Sequence, residues 1–196
     1  MTVAGFQRLK VEVLQMLEDG LDPRLTYHCP EHTVDVMQQA ARIAEAENIT
    51  DSRSLLLVQI ASLFHDSGFL STYQGHEEKS CEIMLDVIES NWLSASEIKM
   101  ISGMIMATKI PQSPVTVHEM ILCDADLDYL GRDDFEIISD RLRIELLAYG
   151  TIQSDREWNY LQVHFFENHQ YHTVTSRCHR HPVKMRYLEK LRQDLR

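Results

Sequence analysis

The sequence has 196 residues, 44% of them hydrophobic, which suits one compact domain burying roughly 70% of its unfolded surface. A formal net charge of −11 and a pI near 5.3 argue against a nucleic-acid polymer or an anionic membrane as partner, because both select a basic footprint. Cys29, Cys81, Cys123 and Cys178 stand far apart with no Cys-x-x-Cys pair, and no apolar stretch is long enough for a leader or a membrane span, so reduced thiols in a cytoplasmic protein are expected.

In chain order the sequence reads as helices joined by short turns, with almost no strand-like alternation, so an all-α fold is expected. Val3, Phe6, Leu9, Val13, Leu14 and Leu17 lie along one side of a helix over residues 3–18, which Gly20 and Asp22-Pro23 close. A second helix starts at Tyr27 or at Pro30 and runs to Asn48, so that His28 falls either in its first turn or just before it. Thr50, Asp51 and Ser52 offer caps for a third helix, whose run from Leu55 to Phe64 has no glycine or proline and carries the apolar spacing of a buried helix to Asp66. The segment 68–75 leads to a helix over 76–92. Ser94 and Glu97 have capping-box spacing and open a helix to Thr108, and Pro114 falls near the first position of a segment reaching Asp126. Asp133-Asp134 begins a long helix to Tyr149, Ser154-Asp155 another to Asn168, and His181-Pro182 the last. No repeat or linker divides the chain, so residues 1–196 are expected to form a single domain.

Chemistry concentrates at three places. His65-Asp66 ends the strongest apolar run, and burying an imidazole beside a carboxylate is costly unless something such as a divalent cation binds both. His28 and His32, four residues apart, share a face if both are helical. Asp124, Asp126 and Asp128 follow the apolar run Met120-Ile121-Leu122; on a helix Asp126 turns toward the core and the other two lie to either side, and such an acidic cluster alone reads as a solvated helix end.

Taken together, Tyr27-His28-x-x-x-His32-Thr33, Ala61-Ser-Leu-Phe-His65-Asp66-Ser67-Gly68 and Ala125-Asp126-Leu-Asp128-Tyr129-Leu-Gly131 resemble the HD superfamily of metal-dependent phosphohydrolases, over about residues 27–131. The helices after residue 132 would pack on that part. The resemblance implies a divalent metal on His32, His65, Asp66 and Asp126, a nitrogen and oxygen set that suits Mn²⁺, Fe²⁺, Co²⁺, Ni²⁺, Zn²⁺ or Mg²⁺. It implies hydrolysis of a phosphate mono- or diester by a metal-activated water, with a nucleotide as the expected small-molecule substrate. Asp66 and His28 are then the catalytic candidates, since the position of His28 matches the histidine that protonates the departing oxygen in related cyclic-nucleotide phosphodiesterases. His76 resembles a ligand of a second metal in two-metal members, which Asp66 would bridge. Those members usually take a further histidine from the segment corresponding to residues 105–109, where this chain has Thr108, so one tight ion with at most a weaker second is expected, and an oxygenase ranks low. Many members carry a phosphate-binding lysine where this chain has Phe69, which leaves Lys79, Lys109 or Arg24 to meet the phosphate, or nothing at all. The competing reading is a metal- and nucleotide-binding regulatory module with little or no turnover.

Five of the ten histidines fall between His164 and His181 without zinc-site spacing, so they read as exposed or packing residues, in a segment that packs beside the pocket. Tyr27, Tyr73, Tyr129 and Trp158 offer faces for a base, with core packing as the commoner role.

Overall fold

The computed structural model describes residues 2–89 and 91–195; the side chain of Val3, one of the positions assigned to the first apolar face, lies outside what is described. Among the described residues there is no strand. Ten α-helices follow one another: α1 (Val3–Gly20), α2 (Pro30–Ala46), α3 (Ser52–Phe64), α4 (His76–Val87), α5 (Ala95–Ala107), α6 (Val117–Asp126), α7 (Phe135–Ala148), α8 (Asp155–Asn168), α9 (Val174–His179) and α10 (His181–Asp194). Two 3₁₀ turns, Ser67–Leu70 and Asp128–Gly131, follow α3 and α6. No described helix is long and apolar enough to cross a membrane.

Local chemistry accounts for most helix starts. Asp51 accepts from the Ser54 amide and opens α3, and Ser94 with Glu97 forms a full capping box at α5. The start expected near Pro114 is corrected to Val117, because Thr116 and Glu119 form a second capping box there. The helix expected to 92 ends at Val87, and the one expected to Asp66 ends at Phe64, after which the chain tightens into the 3₁₀ turn. His28 precedes α2, whose first residue is Pro30. The short α9, capped by Thr173 on the Ser176 amide, is a helix the periodicity did not indicate.

Helix α3 is the hub, packing against α2, α5, α6 and α4. Val58, Ile60, Ala61, Leu63 and Phe64 are at most 1% exposed within the main core. A second cluster, which includes Tyr27, Leu130, Phe135, Phe166 and Leu188, joins α7, α8 and α10 to the turn Asp128–Gly131.

The acidic group at the end of α6 corrects the expectation of a solvated helix end. Asp124 and Asp128 are completely buried. The Asp124 carboxylate accepts from the His172 and Thr173 amides, each at 2.8 Å, and from the Thr173 hydroxyl at 2.6 Å, and so ties the start of α9 to α6. Asp128 accepts from Arg42 at 2.7 Å and Arg180 at 2.9 Å, with Arg132 3.8 Å from its second oxygen. A side chain on Gly131 would meet the Arg180 carbonyl oxygen at 2.4 Å, so the close approach of the turn to the last helices needs glycine. The C-terminal helices are thereby anchored to the same turns that carry the candidate ligands.

Candidate metal centre

Four helix ends converge. His32 lies in the first turn of α2, His65 caps the end of α3 with Asp66 after it, His76 begins α4, and Asp126 ends α6. The turn after His65-Asp66 is held by Ser80 of α4, whose hydroxyl donates to the His65 carbonyl and accepts from the Gly68 amide, both at 2.8 Å. A Cβ on Gly68 would stand 1.9 Å from the His76 carbonyl oxygen, so only glycine lets α4 bring His76 this close.

His32, His65 and Asp66 offer ligand atoms that all lie within 4.8 Å of one another. Nε2 of His32 is 3.3 Å from Nε2 of His65, 3.4 Å from Asp66 Oδ2 and 3.1 Å from Asp126 Oδ1. Asp126 Oδ1 is also 3.5 Å from Nε2 of His65 and closes the fourth side. Nδ1 of His65 donates to the Ser62 carbonyl at 2.8 Å, which fixes the ring and leaves Nε2 as the coordinating atom. Asp66 Oδ2 is buried and accepts no hydrogen bond, although His65 Nε2 lies 3.1 Å away. Two imidazole nitrogens and an orphaned carboxylate oxygen aimed at a common point fit a divalent cation, which would satisfy all of them at once.

Protonation of the cluster follows from the same contacts. Burial pushes His32 down, but the hydrogen bond to Asp126 and the nearby Asp66 outweigh it and raise the imidazole to about 9. Burial likewise opposes the charge on His65, and Asp66 and Asp126 raise it well above the ordinary histidine range. Burial pushes Asp126 up, yet its bonds to His32 and His65 bring it down to about 2, and Asp66 is held well below the carboxylate range by the same imidazoles. Protons thus supply the positive charge that a cation would replace.

His76 stands on the other side of Asp66, with Nε2 3.5 Å from Oδ1, so that one carboxylate faces two groups of imidazoles. Thr108, in the segment 105–109 that carries no histidine, is buried and donates its hydroxyl to the Ile105 carbonyl at 2.7 Å. Phe69 is stacked between His28 and His76, its ring centroid 4.2 Å from one and 4.0 Å from the other. Phe69 therefore offers its ring to both imidazoles, which are tilted 47° from one another, and carries no charge.

His28 is held by a partner that sequence reasoning missed. Glu145 of α7, completely buried, accepts from Nδ1 of His28 at 2.5 Å, from the amides of Tyr27 and His28 at 2.9 and 3.0 Å, and from the Tyr73 hydroxyl at 3.0 Å. Burial raises this carboxyl, but the bonds to His28 and the two amides leave it below its usual range, hence ionised and able only to accept. Nδ1 must carry a proton, and Nε2 of His28 is left for the cavity. The signal for Glu145 was its place on the apolar stripe of α7, three residues after Leu142 and one before Leu146.

One cavity of about 470 Å³ opens in front of the cluster. His28, Asp66, His76, Glu77 and Asp126 line it together with side chains of α7 and α8. Tyr27, Tyr73, Tyr129 and Trp158 all reach it. Glu77, buried beside His76, was also missed; nothing local distinguishes it from its exposed neighbour Glu78. The three cations expected to meet a phosphate lie elsewhere: Lys79 pairs with Glu82 at 2.7 Å, Lys109 with Glu78 at 2.5 Å and Arg24 with Asp22 at 2.6 Å, and none lines the cavity. Of the C-terminal histidines, His164, His179 and His181 are exposed, and His169 and His172 are partly buried. None of them belongs to a metal-competent group among the described residues.

No curated protein and no solved structure matches this chain. The family model described as HD domain matches residues 31–128, half of the sequence, and spans His32, His65, Asp66 and Asp126. With its all-helical architecture and its clustered histidine and aspartate ligands, the chain belongs to the HD-domain family.

Proposed function

We propose that this protein is a metal-dependent hydrolase of phosphate mono- or diesters, with one divalent cation held by His32, His65, Asp66 and Asp126. The observation that carries this reading is the buried Asp66 Oδ2, which accepts no hydrogen bond and faces Nε2 of His65 and His32 at 3.1 and 3.4 Å, beside a cavity that His28 also lines. A divalent cation held there would supply a water of lowered pKa and positive charge for the phosphoryl oxygens. His28, with Nδ1–H held by Glu145, presents Nε2 to the cavity and gives a proton to the departing oxygen. His76 and Asp66 Oδ1 would hold a second, weaker ion, because Thr108 stands where a further imidazole would be needed. Tyr73 and Trp158 line the same cavity and offer aromatic faces to the organic group of the ester.

The test is elemental analysis of the purified protein beside Asp66→Ala, followed by turnover of aryl phosphate mono- and diesters with Mn²⁺ or Co²⁺. About one equivalent of metal, lost in the variant, together with turnover is expected from the four-ligand set. A wild type that binds metal and nucleotide without turning over any ester would establish the regulatory module instead.

A further inference from the structure

The walls that α7 and α8 give the cavity differ in chemistry from the imidazoles and carboxylates of the candidate centre. They include Phe135, Leu142, Leu146, Trp158, Leu161 and Phe166. No lysine or arginine is among the lining residues, whereas Asp66, Asp126 and Glu77 are. Three of the lining donors are already engaged: the Thr108 hydroxyl donates to Ile105, the Tyr73 hydroxyl to Glu145, and the Gln162 amide to the Ser139 hydroxyl. A polar group that finds no partner among the few remaining donors loses hydration without replacement, and a second phosphoryl group would face carboxylates and hydrocarbon in a low dielectric. An apolar group entering it gains from leaving water.

We propose that the substrate's organic group is uncharged and apolar, an alkyl or aryl chain seated between α7 and α8, so that the preferred substrate is a lipophilic phosphate ester with a single phosphoryl group. This substrate class rests on the hydrolase reading, with the phosphoryl group at the imidazole and carboxylate end. Trp158 and Phe166 flank the chain, and Leu161, 39% exposed, stands where its end approaches solvent.

Phosphonates, whose carbon–phosphorus bond is not an ester, separate binding from turnover. The experiment is calorimetric titration of the Mn²⁺-loaded and the metal-free protein with methyl-, butyl-, octyl- and phenylphosphonate, and with AMP and ADP. Affinity is expected to rise by about fourfold per methylene until the cavity is filled, with the same dependence in both forms and with both nucleotides weaker than octylphosphonate. Leu161→Glu, at a part-exposed position that tolerates charge, should abolish the gain from chain length and leave methylphosphonate unchanged. Equal affinity across the series, tighter binding of AMP than of octylphosphonate, or an unaltered octylphosphonate affinity in Leu161→Glu overturns the proposal. Chain-length-dependent binding without hydrolysis of any ester would uphold the apolar site and remove the hydrolase reading. Flat binding with turnover of nitrophenyl phosphate would do the reverse.

Discussion

A carboxylate that accepts from two backbone amides, an imidazole and a phenol has no proton to offer, so Glu145 decides which nitrogen of His28 faces the cavity. Replacing Glu145 with glutamine keeps the shape and supplies an amide that can donate, which frees the His28 tautomer. The expected result is unchanged metal content, a fall in kcat of about tenfold or more and an altered pH profile. A merely structural role would leave that profile as it was. In His28→Ala, turnover should fall by about a hundredfold or more with metal content again unchanged, whereas loss of the metal would make His28 a ligand. Metal binding itself should depend on pH. His32 keeps its proton up to about 9, against an ordinary value of 6.5, and a cation must displace that proton. Calorimetric affinity for Mn²⁺ or Zn²⁺ should therefore rise as pH increases from 6.5 toward about 9, with protons released on binding.

Among elements, the turn Asp128–Gly131 joins the candidate centre to the C-terminal layer. Asp128 is completely buried while its arginine partners keep 14 to 38% of their side-chain surface, so the carboxylate rather than any one arginine is the costly group to disturb. In Asp128→Asn the pairing with Arg180 and Arg132 is weakened, and Arg42, more than a third exposed, contributes little. A loss of about 2–4 kcal/mol is expected, read as a melting temperature lower by about 4–16 °C in the metal-loaded protein. An unchanged melting temperature would show that the turn is held by apolar packing alone. Asp124 has the corresponding role for α9, through the amides of His172 and Thr173.

For the whole molecule, a cation bound at the meeting point of α2, α3 and α6 stabilises the folded chain, because the ligands converge only there. At a free metal concentration about a hundredfold above Kd the gain is about 2.7 kcal/mol, which for a chain of this size raises the melting temperature by about 5–10 °C. Removal of the metal with a chelator should lower it by that amount. The metal-free protein should carry its own pH signature. His32, raised from 6.5 to about 9, contributes stability that is complete below 6.5 and lost as pH rises through about 9. Asp126, lowered from 3.8 to about 2, contributes stability that is present above 3.8 and lost as pH falls through about 2. The cluster's contribution should thus be greatest between 3.8 and 6.5, and thermal melts of metal-free protein across pH would measure it.

Most helix starts and the buried run of α3 that ends at His65-Asp66 were legible in the amino-acid sequence, because caps and periodicity act over three or four residues. The α6 start needed the structure, since Pro114 and the Thr116–Glu119 box offered rival local signals. The burial of Asp124 and Asp128 was not legible either: an acidic cluster is solvated or satisfied according to whether distant donors such as Thr173 and Arg180 reach it. Glu145 meets His28 across 117 residues, and Lys79, Lys109 and Arg24 carry the right charge on the wrong side of their helices or turns. By itself the sequence determined the helices, which are local, and through its resemblance to the HD superfamily it named His32, His65, Asp66 and Asp126 as candidate ligands. Only the tertiary structure decided which groups line the cavity, because its walls come from α7 and α8, far along the chain from the ligands they face.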